Sequence, residues 1–156
     1  MRWRGVAALA SLCLACSGPV QACFGSRLRV GVPAQPQGAL AAYAIGYFVQ
    51  EKTGIEPEFF EAGEAALGAG AVDLVLAPAG AAAPRGAATR PAGDVPGLGE
   101  ARVWLRGEVL DDLRFFTVDR ALGLLPAFFS SAGYRQAVQS GAPPRKAARK
   151  AVLDGT

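Results

Sequence analysis

Apolar and polar positions alternate where the readable part of the chain begins. Leu28, Val30 and Val32 are separated by Arg27, Arg29 and Gly31, a period of two that predicts a strand. The run Pro33-Ala34-Gln35-Pro36-Gln37-Gly38 predicts a turn. From Ala39 to Thr53 the period becomes helical. Leu40, Tyr43, Ala44 and Tyr47 share one face, and Ile45, Phe48 and Val49 widen it. Gly54 stands where a C-terminal cap belongs, and Lys52 complements the helix dipole in the last turn. Alternation returns over Ile55–Phe60, with Ile55, Pro57 and Phe59 on one face and Glu56 and Glu58 on the other. Proline has no N–H to give to a ladder, so this strand is expected at a sheet edge. Residues 61–69 predict a short helix with Glu61 and Glu64 in its first turn. Val72–Leu76 is an apolar run broken only by Asp73, the pattern of a buried parallel strand.

Strand, helix, edge strand, helix and buried strand make a βαβαβ unit. Right-handed crossovers lay the helices over a parallel sheet. With the second strand at the edge, the first must lie between the second and the third. The predicted class is therefore α/β, a doubly wound parallel sheet of order 2-1-3 at its start, with ligands expected beyond the carboxyl ends of its strands.

The pattern then fades. Ala, Gly and Pro dominate residues 80–101, with Arg85, Arg90 and Asp94 as the main charges, and no period is visible. A linker or disordered loop is expected there, because so little apolar surface does not offset the entropy of ordering. Residues 102–156 predict an α/β segment that completes the lobe. Arg102–Arg106 alternates as a short strand, and residues 108–116 and 120–138 carry helical or mixed patterns, with Pro126 breaking the second. Pro143-Pro144 leads into a basic helix over 145–153, expected to be a solvated terminal helix, with contact to anionic lipids as the alternative. Trp104, Phe115-Phe116 and Phe128-Phe129 are expected in the core.

The N-terminus adds a destination. Arg2 and Arg4 precede an uncharged apolar stretch from Gly5 to Ala15, and Val20-Gln21-Ala22 fits the small-x-small cleavage pattern of a secretory signal peptide over 1–22. The stretch is too short to span a bilayer, which needs about 20 apolar residues. A periplasmic or secreted location follows, either free or lipid-anchored through Cys16 or Cys23. Residues 23–156 keep one cysteine, so an internal disulfide is excluded.

Composition narrows the function further. The formal net charge of +3 shrinks when Arg2 and Arg4 are removed, which argues against nucleic acid as a partner. The chain has 0 histidines, which removes Ser-His-Asp and Cys-His catalysis and the commonest metal ligand. Asp111-Asp112 are neighbours on a helix and face apart, so they read as a solvated pair. No nucleophile–base pair can be assembled, and neither an enzyme nor a cofactor is expected.

The segment Leu28–Gly80 resembles the start of two-lobed periplasmic solute-binding proteins of ABC transporters, most of all the phosphonate- and phosphate-type members. The likeness rests on the opening Leu28-Arg29-Val30-Gly31-Val32, on the helix ending Glu51-Lys52-Thr53-Gly54, and on Gly70-Ala71-Val72-Asp73-Leu74-Val75-Leu76-Ala77-Pro78-Ala79. The resemblance implies a clamp that holds its ligand at the turns after the strands and at helix N-termini, a setting that suits anions. The ligand-binding positions it implies are Ala34, Gln35 and Gln37 after the first strand, Glu61 and Gly63 after the second, and Ala77, Pro78 and Ala79 after the third. The remaining chain is too short for a second lobe, so a single, shortened lobe is expected. The implied role is binding a small polar or anionic solute for a transporter permease or a sensor protein, with any membrane contact made through a lipid anchor. The competing expectation is a non-catalytic interaction or signalling module with the lobe fold and a lost pocket, or a truncated gene product.

Processing is directly measurable. Intact-mass analysis of soluble and membrane fractions is expected to find a chain starting at Cys23, or at Cys16 if lipidated; an unprocessed Met1 in both fractions would refute export.

Overall fold

The computed structural model describes residues 27–155, so the signal segment and both candidate lipidation sites, Cys16 and Cys23, lie outside the described residues. The chain runs β1 (Arg27–Val32), α1 (Pro36–Thr53), β2 (Glu56–Glu61), α2 (Ala65–Gly68), β3 (Leu74–Pro78), β4 (Ala87–Val95) and β5 (Gly99–Arg106). Short helices follow: α3 (Gly107–Asp111), a 3-10 turn (Leu113–Phe115), α4 (Phe116–Leu122), α5 (Leu125–Phe129), α6 (Ala132–Gln139) and α7 (Pro144–Gly155).

The sheet has five strands in the order β2-β1-β3-β5-β4. β1 runs parallel to β2 and to β3, so the 2-1-3 order read from Pro57 holds, with β2 at the edge and Pro57 opposite Leu28. Beyond β3 the sheet turns antiparallel, β3 with β5 and β5 with β4. The fold is α/β, and it fits a single lobe.

The sheet separates two apolar layers. Leu28, Val30, Val32, Leu74, Val103 and Leu105 face α1 and the C-terminal helices in the larger one. Val75, Ala77 and Trp104 meet Leu67 of α2 on the other face. α1 is buried on almost every side, which its Ala- and Gly-rich composition permits. Gly46 marks the closest approach: a Cβ there would stand 2.6 Å from the ring of Phe59 in β2. The helix begins at Pro36 rather than Ala39, because proline suits the first helical turn, where its missing N–H would have no partner. Gly54 caps it with φ 75°.

One buried charge ties the sheet together. Asp73 is 5% exposed. Its carboxylate accepts from the Arg29 backbone N–H at 3.0 Å and from the Arg29 guanidinium at 3.1 and 2.8 Å. The Arg106 guanidinium stands 3.8 Å away. The backbone repeats the link, with Asp73 N–H donating to Arg29 O at 2.8 Å and Arg106 N–H to Asp73 O at 3.0 Å. The Asp73 bond raises the pKa of Arg29 above the usual guanidinium value. The residue that interrupts the apolar run thus joins β1, β3 and β5.

Three expectations are corrected. Residues 80–101 are not a linker: β4 and the start of β5 form an antiparallel hairpin there. Its buried residues are small, with Ala92 and Val95 both fully enclosed, and its ladder hydrogen bonds supply what apolar area does not. Pro91 is tolerated because β4 is an edge strand and its register shifts between Pro91 and Gly93. Phe116 is not core; it is 71% exposed, on the side of α4 opposite buried Val118, Ala121 and Leu122, while Trp104, Phe115, Phe128 and Phe129 are buried. The break expected at Pro126 is present: the stretch 120–138 is divided among α4, α5 and α6, and Pro126 lies in the first turn of α5. The basic helix α7 is solvated on its charged side only, because Ala147, Ala148, Ala151 and Val152 are buried.

Two stability measurements follow. Asp73→Asn removes the charge that Arg29 is paired with; because Arg29 is 34% exposed, the cost is placed below that of a fully buried pair, at roughly 2–3 kcal/mol in urea unfolding at pH 7. Tyr134 is fully buried and its hydroxyl has no hydrogen-bond partner among the described residues, while burial pushes its pKa up. Tyr134→Phe is therefore expected to leave stability unchanged or to raise it by up to about 1 kcal/mol in thermal unfolding.

Candidate functional site

The carboxyl ends of β1 and β3 open on a cleft of about 390 Å³. Pro33, Ala34 and Gln35 enter it from the turn after β1, and Leu76, Ala77 and Pro78 from the end of β3. Gly38 of α1, Glu64, and Leu98 and Ala101 from the hairpin close its sides. The turn is tight for a steric reason: a Cβ on Gly38 would come within 2.7 Å of the Pro33 ring, so glycine lets the helix start directly against the strand end. Gln35 is extended and makes no side-chain cap, although its carbonyl accepts from Ala39 N–H at 2.8 Å. The first N–H groups of α1 have no partner within the helix, and they lie beside this cleft. Glu64 is the one ionisable side chain along the lining.

A second cleft, of about 620 Å³, lies across the Pro33–Ala34 ridge between β2 and the start of α7. Glu61, Ala62 and Gly63 line one side, and Pro143, Pro144 and Arg145 the other, with Val32, Ala39 and Tyr43 between them. Arg145 is held in place. Its Nε donates to the Tyr47 hydroxyl at 3.0 Å. Its guanidinium stands 5.9 Å from the Tyr43 ring centroid and 5.6 Å from that of Phe59. The Tyr47 bond is the main cause of an Arg145 pKa above the usual value.

The positions expected to bind ligand therefore divide. Ala34, Gln35, Ala77 and Pro78 meet in the first cleft; Ala34, Glu61 and Gly63 line the second. Two lie apart from both linings. Gln37 packs against Gly97 in the β4–β5 turn, and Ala79 donates its N–H to Glu100 O at 3.0 Å, extending the ladder between β3 and β5. Sequence reasoning missed Glu64, Leu98, Ala101 and Arg145. Leu98 and Ala101 lay in or beside the supposed linker, and Arg145 joins Tyr47 across 98 positions, a contact that no local pattern announces.

A polar cleft at the opposite end of the sheet holds four arginines, each engaged with a carboxylate. Arg29 pairs with Asp73 at 2.8 Å, Arg106 with Glu108 at 2.5 Å and Arg27 with Glu56 at 3.9 Å, while Arg114 bonds Asp112. Those pairs engage each arginine's charge with a carboxylate, while the buried Nε of Arg106 keeps no hydrogen-bond partner among the described residues. Among the described residues no three His, Cys, Asp or Glu side chains gather in a metal-binding group, and no helix is long and apolar enough to cross a membrane. Compared with known protein families, curated proteins and solved structures, the chain matches none of them.

Proposed function

We propose that this chain is an extracytoplasmic solute-binding protein, or a reduced relative of one, that holds a small polar or anionic solute and delivers it to an ABC transporter permease or a sensor protein. The observation that carries the reading is that the turns after β1 and β3 converge on one cleft. In a doubly wound sheet this is the point where successive connections leave in opposite directions, and the strand ends part to leave a crevice. The cleft's volume falls within the range of small-molecule sites. Its wall offers α1 backbone N–H groups to an oxygen of the solute, and Leu76, Leu98 and Ala101 exclude water from the other side. Glu64 sets the charge preference: it opposes a fully charged anion and favours a polar group that also carries a donor.

One lobe offers about half the contacts of a closing clamp, while the cost of immobilising the solute is nearly unchanged. Binding by a monomer is then expected at roughly 0.1–1 mM, equivalent to about 4–5.5 kcal/mol. Calorimetry against phosphate, phosphonates, sulfonates and small polar solutes tests this. Leu98→Trp is expected to fill the cleft and abolish the heat, and Glu64→Gln to strengthen phosphate binding several-fold. The absence of heat from every member of the panel would instead favour an interaction module that has lost its pocket.

A further inference from the structure

The second cleft carries a feature that the first does not. Two opposite charges, Glu61 and Arg145, line one space of about 620 Å³ without pairing to each other. Among the described residues the Glu61 carboxylate is in no hydrogen bond or ion pair, and the Arg145 guanidinium has one polar partner, the Tyr47 hydroxyl. We propose that this cleft binds a small zwitterion, an amino carboxylate, with the ligand's carboxylate on Arg145 and its ammonium on Glu61.

The arrangement of Arg145 points to a carboxylate. Its Nε is taken by Tyr47 at 3.0 Å, and its planar group is held near the rings of Tyr43 and Phe59. Only the two terminal nitrogens remain, side by side at the end of the fork, the geometry that receives both oxygens of a carboxylate. Because the guanidinium is already oriented, a ligand orders little when it binds, which keeps the entropy cost low. Pro143 and Pro144 fix the backbone that delivers it.

Charge selects among ligands. A simple anion meets Glu61, and a simple cation meets Arg145, each a like-charge encounter. A zwitterion satisfies both, and neither protein charge is left desolvated and unpaired. Val32 and Ala39 at the base give room for a short apolar group. The site lies across the Pro33–Ala34 ridge from the first cleft and does not depend on a solute bound there.

The test is titration of the full chain, followed by amide chemical shifts, with glycine and L-leucine, which share the short α-amino acid separation of opposite charges and differ in apolar side chain, and with 6-aminohexanoate, whose charges stand farther apart. At least one is expected to bind with a millimolar or better dissociation constant and to move the resonances of Gly63 and Arg145. Glu61→Gln and Arg145→Gln are each expected to weaken that ligand at least tenfold. Glu61→Gln changes an exposed side chain and keeps the test valid should Arg145→Gln disturb the aromatic contacts. Removing the ligand's ammonium, as in 4-methylpentanoate against L-leucine, is expected to abolish binding to the native protein. Leu98→Trp, which blocks the first cleft, is expected to leave zwitterion binding unchanged, so this site and the first succeed or fail separately. No binding by any of the three, or binding indifferent to Glu61→Gln, would overturn the proposal.

Discussion

The Asp73 carboxylate sets the geometry on which the rest of the structure depends. It lies at the entry to β3, the strand where the sheet passes from parallel to antiparallel pairing. A carboxylate that is 5% exposed needs compensation, and Arg29 of β1 provides it through both its backbone N–H and its guanidinium. Those bonds specify one register between β1 and β3, because a slip of one residue would turn Arg29 to the opposite face of the sheet. Few strand-to-strand bonds are otherwise available there, since the described pairing of β1 with β3 is centred on Val30 and Leu74. The register then determines where the turns after β1 and β3 end, at Pro33–Gln35 and at Ala77–Pro78, and so whether they meet in one cleft. A polar contact at one end of the sheet thereby positions the turns that line the first cleft at the other.

α1 couples the fold to the second cleft by a different route. Gly46 lets the helix lie directly on β2, with Phe59 filling the space a side chain would take. Tyr43 and Tyr47 then pack edge-on against the same ring at 4.8 and 5.3 Å. This aromatic group seats the helix and also presents two ring faces and a hydroxyl to Arg145. α7, which carries Arg145, buries its alanine side while its basic residues stay solvated. One set of contacts serves stability and the orientation of a charged side chain together.

What was legible in the sequence follows from how local its cause was. The alternation of Leu28, Val30 and Val32, the helical period from Leu40 to Val49 and the missing N–H of Pro57 are properties of neighbouring residues, and they sufficed for β1, α1, the edge position of β2 and the 2-1-3 order. β4 and the start of β5 were illegible because the buried positions over 80–101 are Ala92, Val95 and Ala101, residues too small to stand out from an Ala- and Gly-rich background. Their order comes from a ladder with a partner strand, a cause that no window of sequence displays. Phe116 misled for the converse reason: an aromatic residue adjoining another need not share its face, and Phe115 took the buried one. The same division runs through the site. Ala34, Gln35, Ala77 and Pro78, which the resemblance implied at the turns after the first and third strands, do line one cleft, whereas Leu98 and Arg145 needed long-range pairing to be known.

The two clefts share a wall, and that wall constrains how they behave together. Pro33 and Ala34 line both. Pro33 is fixed in φ by its ring and packs against Gly38, so the ridge has little freedom to lean either way. A solute entering one cleft therefore has no soft backbone element through which to close the other, and coupling requires two discrete arrangements that both ligands bias. Independent occupancy is the physical default for a rigid ridge. Exchange between the clefts would instead require the turn from β1 to α1 to move as a unit, breaking the 2.8 Å bond from Ala39 N–H to Gln35 O that begins the helix.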